Sequence, residues 1–308
     1  MNIITLTLNP AFDLHCYAEH FLPYHENVFT ITARDAGGKG INVSRALTKN
    51  GVKNIAACIL GSENGEEFLK MLKAEGLSLA AVTAEGRIRE NITLHEKERK
   101  ETRISFPGFA CTPSVLSELR SAIGAIGEGS VYVFSGSVPV GLSEETIVSF
   151  LKGIKDTGAA LVIDSRSVSL SSLIALKPML IKPNREEAER ALGISIDSIE
   201  DAANAARALQ EKGIENVLLS LGDEGAVLAS KEGVYHATAP KIKVLSTIGA
   251  GDSTIAGFLC AVAEGGTKEA CLVRAVAFGS AACLLEGTAP PLPEDVAALE
   301  GKITVKRV

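Results

Sequence analysis

The sequence predicts an α/β fold: one domain spanning residues 1–308, with a mostly parallel sheet, helices on both faces and a small β lid. Three observations predict it. Short apolar runs alternate with helical stretches, the pattern of a parallel sheet covered on both faces. Most of these runs end in a polar or glycine-rich patch, and in an open parallel sheet those carboxyl ends share one ligand-binding edge. Residues 88–106 break the alternation with two stretches of period two, Asn91-Ile-Thr-Leu and Thr102-Arg-Ile-Ser-Phe, which read as a hairpin around a charged turn at 95–100.

In order, Met1-Asn-Ile-Ile-Thr-Leu-Thr-Leu alternates as a strand and meets the turn signal Asn9-Pro10. Residues 14–35 are mixed and polar, without helical periodicity, and read as extended segments outside the main core. Ala36-Gly-Gly-Lys-Gly-Ile-Asn-Val-Ser-Arg-Ala-Leu47 is a glycine-rich turn running into a helix that Asn50-Gly51 ends. It is not a Walker A loop, because Gly40 follows Lys39 where Ser or Thr is needed. A strand over 54–60, a helix over 66–74 and a strand near 79–82 follow. Strands then end at Ser135-Gly-Ser-Val-Pro139, at Asp164, at Lys182-Pro-Asn184 and at Ser220-Leu-Gly-Asp-Glu-Gly225. An apolar helix over 271–285 and a short closing segment from Pro290 complete the chain.

The densest chemistry lies at Ser246-Thr-Ile-Gly-Ala-Gly-Asp252. Val244-Leu245 before it reads as the end of a strand. Ile255, Phe258, Leu259 and Val262 after it have helical spacing, stopped by Gly265-Gly266. Gly249 and Gly251 permit a tight turn and close approach to a ligand. The first helical N–H groups, at the positive end of the helix dipole, suit a phosphate. Asp252 is then either a helix cap, since Asp is a favoured N-cap residue, or a carboxylate held beside phosphate for chemistry. On this stretch alone both readings stand.

The totals narrow the function. A net charge of −6 argues against nucleic-acid binding, which needs a basic face. The start lacks the form of a signal peptide, and no uncharged apolar run reaches the ~18 residues of a membrane span. The six cysteines are scattered without a C-x-x-C pair and read as reduced core residues of a cytoplasmic protein. His15, His20 and His25 share no helix or strand face and predict no metal site.

With these residues in place, the chain resembles the ribokinase-like, or PfkB, family of sugar kinases. Residues 36–44 resemble its amino-terminal signature and 246–252 its carboxyl-terminal one. Lys182-Pro-Asn-Arg-Glu-Glu187 resembles its N-x-x-E element, and Ser220-Leu-Gly222 its nucleotide loop. The opening Thr7-Leu-Asn-Pro10 and Gly-Gly-Lys-Gly-Ile-Asn-Val resemble the branch holding 1-phosphofructokinase and tagatose-6-phosphate kinase. Two stretches depart from it: Asp164-Ser-Arg-Ser167, where a glycine is usual, and Ile88-Arg89, where a threonine precedes the arginine.

The resemblance implies a three-layer α/β/α sandwich with a lid from roughly 14–35 and 88–106, which pairs two subunits into a homodimer. It implies transfer of the γ-phosphoryl group of ATP to a primary hydroxyl of a ketohexose monophosphate, fructose-1-phosphate or tagatose-6-phosphate. Asp252 would accept the hydroxyl proton, and the Gly249-Ala250-Gly251 turn would stabilise charge through its N–H groups. Asp13, Gly38, Lys39, Asn42, Arg89, Arg103 and Ser137 would bind the sugar phosphate. Lys182, Asn184, Glu187, Ser220, Gly222, Gly225 and Thr247 would bind ATP, with Glu187 near Mg2+ through water and Glu186 and Glu189 left as a solvated acidic helix start. The alternatives are a kinase for an unphosphorylated sugar or nucleoside, which would not need fixed arginines, and a sugar-phosphate sensor without catalysis.

Overall fold

In the computed structural model, which describes residues 1–97, 101–125 and 127–308, two sheets divide the work. The chain begins with β1 (Asn2–Thr7) and passes out to the lid strands β2 (Ala11–Ala18) and β3 (Thr30–Gly37). It returns through α1 (Lys39–Lys49), β4 (Asn54–Gly61), α2 (Gly65–Ala74) and β5 (Leu79–Ala84). The lid is completed by β6 (Arg89–Glu96) and β7 (Glu101–Ile104). The α/β alternation then runs α3 (Pro113–Ile123), β8 (Ser130–Ser135), α4 (Glu144–Lys155), β9 (Ala160–Asp164), α5 (Leu170–Leu176) and β10 (Leu180–Ile181). It continues through α6 (Arg185–Leu192), α7 (Ile199–Glu211) and β11 (Asn216–Ser220). Next come the hairpin β12 (Ala226–Ser230) and β13 (Gly233–Ala237), the helices α8 (Ala250–Ala263), α9 (Lys268–Ala282) and α10 (Pro293–Glu300), and β14 (Val305–Arg307).

The large sheet has the order β14-β13-β12-β11-β10-β9-β8-β1-β4-β5. It is parallel from β5 to β11 and antiparallel from β11 to β14. Its central strands are apolar at successive positions because both faces are buried. Val131 and Val133 pack with α1, α8 and α9, while the intervening Tyr132 and Phe134 pack against the α3–α4 side. A third cluster joins α6 and α7 to Val217 and Leu219. Helix α8 is buried almost all round, as befits a helix apolar on every face.

The small sheet has the order β3-β2-β6-β7. The extended segments expected over 14–35 are therefore β2 and β3, and the hairpin expected over 88–106 is β6–β7. Of its turn, expected over 95–100, residues 98–100 lie outside the described residues. Pairing of β2 with β6 sets Asp13 beside Asn91, and pairing of β6 with β7 sets Thr93 beside Arg103.

Two expectations are corrected. No strand ends at Val244-Leu245: both side chains are exposed, and residues 238–249 run irregularly into α8. The strand edge is already taken, since β13 ends at Ala237 and pairs with β14. The segment is held instead by Leu245 N–H donating to the Cys283 carbonyl at 2.8 Å. The closing segment from Pro290 is longer than expected, because Pro293 opens α10 and β14 follows. Among the described residues, no helix is long and apolar enough to cross a membrane. All six cysteines are free.

Candidate active site

Helix α8 starts at Gly249, whose φ of 76° is one that side chains disfavour. Gly249 is the N-cap, which corrects the capping reading of Asp252. Asp252 is the third helical residue and caps nothing. Its buried carboxylate accepts from Asn42 Nδ2 on α1 at 2.9 Å. Burial pushes its pKa up to about 6, against the pull of Lys39, Asn42 and Lys182, while Asp164 adds to the rise. In the first turn, Ala250 N–H makes a long contact to the Thr247 carbonyl, 3.4 Å. Helix geometry leaves the N–H of Gly251 without an intrahelical acceptor.

Three strand ends bring charges to this helix terminus. Asp164, at the end of β9, lies 3.2 Å from Lys39 Nζ and 3.7 Å from Lys182 Nζ. Burial works against its ionisation, but Lys182 and Lys39 outweigh it and hold the carboxyl below its usual range. Burial alone would lower the Lys39 ammonium's pKa, yet Asp164 and Asp252 raise it. Lys182 is buried, whereas the Lys39 side chain is 47% exposed and so can reach a ligand. The unusual 164–167 loop thus has a structural role: Asp164 spaces two ammonium groups beside Asp252. Ser165 Oγ ties the loop to the Gly136 carbonyl.

Facing this cluster is the polar side of the lid. Asp13 accepts from Asn91 Nδ2 at 3.1 Å, and a Cβ on Gly37 would come within 1.9 Å of the Asp13 carboxylate, so only glycine fits there. Burial raises the Asp13 pKa, opposed by Asn91 and Arg103. Arg89 is already engaged. It donates to the Phe106 carbonyl (2.9 Å), the Asn9 carbonyl (3.2 Å) and Ser137 Oγ (3.3 Å). Arg103 is exposed and makes no hydrogen bond or ion pair among the described residues. Three buried atoms here, Asn9 Oδ1, Arg89 Nε and Asn91 Oδ1, have no hydrogen-bond partner among the described residues. Such atoms are costly unless paired. Gly38 is the N-cap of α1 and presents Lys39 as its first residue.

On the other side, Asn184 caps α6 in a reciprocal box with Glu187, whose Oε2 accepts from Asn184 N–H at 3.1 Å. Glu187 Oε1 pairs with Arg166 Nε at 2.8 Å. Glu189 is not merely solvated, since it accepts from Ile196 N–H at 2.8 Å. Asn184 bridges to Ser220, Gly222 opens a single 3₁₀ turn, and Gly225 closes it against the Ala237 carbonyl. Thr247 is exposed at the approach to α8.

Residues 11–295 match the family described as pfkB family carbohydrate kinase. The chain belongs to that family. It is 33% identical to the 1-phosphofructokinase of Bacillus subtilis (strain 168) over 284 residues, 92% of this chain and 93% of the relative. It is also 33% identical to the 1-phosphofructokinase of Escherichia coli (strain K12) over 258 residues, 83% of each chain. Phosphofructokinase-2 from Escherichia coli, solved in complex with substrates and products, superposes with a TM-score of 0.92 at 29% identity, covering 98% of this chain and 99% of that one. The molecule is accordingly a pfkB kinase, moving a phosphoryl group from ATP to a sugar hydroxyl.

In this pfkB kinase the structure brings Asp252, Lys39, Asn42 and Lys182 together with Asp164, and sets Asp13, Arg89 and Ser137 around the lid base. Sequence reasoning missed Asn9 and Asn91. Asn9 Nδ2 donates to the Pro107 carbonyl at 3.0 Å and to Ser137 Oγ at 3.3 Å. Asn9 stood in the Asn9-Pro10 turn and in the Thr7-Leu-Asn-Pro10 resemblance, and Asn91 closed the stretch Ile88-Arg-Glu-Asn91, but neither was given a role.

Proposed function

We propose that the acceptor is a ketohexose monophosphate, with fructose-1-phosphate the foremost candidate, and that Asp252 takes the proton from its primary hydroxyl. The observation that carries this is the buried Asp252 carboxylate under the influence of Lys39 and Lys182, near a lid whose exposed Arg103 makes no hydrogen bond or ion pair among the described residues. The acceptor's phosphate meets Arg103, and its hydroxyls meet Asp13, Asn91 and Asn42. As the hydroxyl oxygen bonds to the γ-phosphorus, the bond from that phosphorus to the ADP oxygen breaks and the proton passes to Asp252. Phosphoryl transfer has a loose transition state, so positioning and charge neutralisation do most of the work. Lys39, Lys182 and the Gly251 N–H supply that neutralisation. A coupled assay with fructose-1-phosphate, fructose-6-phosphate, tagatose-6-phosphate and fructose tests the assignment. The expected result is the highest kcat/KM on fructose-1-phosphate and the lowest on fructose, and a preference for the neutral sugar would overturn it.

Among the described residues, no group of three His, Cys, Asp or Glu side chains could hold a metal. The donors fit a magnesium ion carried chiefly by the ATP phosphates and water, with Glu187 as an outer carboxylate. When bound, the ion neutralises phosphate charge. One Glu187 oxygen caps α6 and the other holds Arg166, so the carboxylate would meet the ion only through water, and Glu187→Gln is expected to shift the magnesium dependence of the rate. Glu189→Gln, away from the crevice, leaves it in place. Identical magnesium titrations for both mutants would move the role elsewhere.

The lid also supports a homodimer. Leu22, Tyr24, Val28 and Ile31 are all exposed on it, with Val28 at 86%, and clustered exposed apolar side chains mark interaction surfaces. Sedimentation is expected to show a dimer that the double mutant Val28→Glu, Ile31→Glu converts to monomer. A parent that sediments as a monomer would refute the pairing.

A further inference from the structure

Among the described residues, the side chain that donates to Asp252 is Asn42. A carboxamide has a donor end and an acceptor end of nearly the same shape, so a neighbour must decide which end faces the carboxylate. Arg45 is that neighbour. It lies one helical turn beyond Asn42 on α1, where i and i+3 side chains meet. Its side chain is only 7% exposed, and its Nη1 donates to Asn42 Oδ1 at 3.3 Å. A guanidinium has donors only and keeps its proton. Its remaining nitrogens grip both oxygens of Glu75, the residue that ends α2, one through Nε and one through Nη2 at 2.7 Å.

We infer that Arg45 is a positioning residue for phosphoryl transfer: it locks the Asn42 amide so that the NH2 group always faces Asp252, which keeps that carboxylate ready to accept a proton. The inference rests on the proposed role of Asp252. A protonated Asp252 still offers Asn42 a carbonyl oxygen, a weaker acceptor than a carboxylate, and Asn42 could take its O–H only by flipping. The flip would turn its NH2 group onto Arg45, donor against donor in a buried place, which is the costly arrangement. The other charged groups facing Asp252 are Lys39 on α1, Lys182 just beyond β10 and Asp164 at the end of β9. The two lysines favour its ionised form and Asp164 opposes it. None of them touches Arg45 through a hydrogen bond or ion pair among the described residues, so changes at Arg45 act through Asn42.

The test is the pH dependence of kcat/KM for the acceptor in the parent, Arg45→Lys, Arg45→Gln and Arg45→Met. Activity falls as pH drops through the pKa of Asp252, about 6, where the base becomes protonated. The acceptor's own phosphate titrates alike in all four proteins, so differences between them belong to the enzyme. Gln can present either end of its amide to Asn42, and Met presents neither. Both are expected to move the acidic limb up by roughly half a pH unit or more. Lys keeps a donor-only head and is expected to leave the limb near that of the parent. Lower melting temperatures with superposable limbs would show a merely structural role and overturn the inference. Should the Met variant fail to fold, the Gln variant, which retains polar contacts to both neighbours, decides alone. If Asp252→Asn keeps its turnover, the role of Asp252 falls. If that mutant is inactive and the limbs still coincide, only the role of Arg45 falls.

Discussion

Asp252→Asn loses turnover by about 100- to 10,000-fold, the usual cost of removing a general base, and melts at or above the parent temperature. The first half follows because Asn matches the shape of Asp and can still accept from Asn42, yet cannot take a proton from the sugar hydroxyl. The second half follows from linkage. The folded pKa of Asp252 is raised from 3.8 to about 6, so the folded state binds more protons than the unfolded state between those values. Stability from this group therefore falls as pH rises through that window, and at neutral pH the whole cost is present, on the order of 3 kcal/mol. Asn carries no charge and removes that cost, against which its extra N–H needs a partner worth ~1 kcal/mol or more. Since Gly249, not Asp252, caps α8, no capping energy is lost. Thermal melts and steady-state rates near pH 7.5 check both halves. A mutant that keeps most of its turnover would refute the mechanism.

Arg103→Ala raises the acceptor KM by about 10- to 100-fold and leaves the KM for ATP nearly unchanged. A hydrogen bond to a charged group contributes ~1.5–3 kcal/mol, and each 1.4 kcal/mol is tenfold. Arg103 makes no hydrogen bond or ion pair among the described residues, although its charge reaches Asp13, and its side chain on β7 is exposed, so the effect lies on binding. Arg89→Ala behaves differently. It breaks three contacts that join the lid base to Asn9, Ser137 and Phe106, so it lowers the melting temperature and kcat as well as acceptor affinity. The two arginines looked equivalent on the hairpin, and only the structure separates exposed Arg103 from Arg89, which is held by three hydrogen bonds. Equal changes in both KM values for Arg103→Ala would return that residue to the solvated surface.

The strands that were legible are the ones buried on both faces, such as Ser130–Ser135 and Ala160–Asp164, where unbroken apolar runs have no other explanation. The strand-end rule then placed Asp164 and Lys182 at one edge, whereas Asp252 comes to them on α8 with no strand before it. Illegible were the β12–β13 hairpin, short and rich in small residues, and the fate of Val244-Leu245, an apolar pair that the fold leaves in water. The cap and catalytic readings of Asp252 stayed open because an Asp in the first turn and an Asp at the cap give the same local pattern, whereas the N-cap glycine at positive φ is visible only in the backbone. The Lys39–Asp164–Lys182 cluster was also out of reach. Its members lie far apart in sequence, and which ammonium meets which carboxylate depends on side-chain directions that no spacing encodes. Arg45 was hidden for a related reason. It read as one more polar residue on a helix after a glycine turn, and its significance depends on an amide orientation.

The most direct measurement is a crystal structure of the protein with fructose-1-phosphate and a non-hydrolysable ATP analogue. The account predicts the acceptor's free primary hydroxyl within roughly 3 Å of an Asp252 carboxylate oxygen, pointing at the γ-phosphorus, with the acceptor's phosphate against Arg103. A complex in which the hydroxyl lies away from Asp252, or in which the acceptor's phosphate sits at the α8 terminus and leaves Arg103 in solvent, would contradict it.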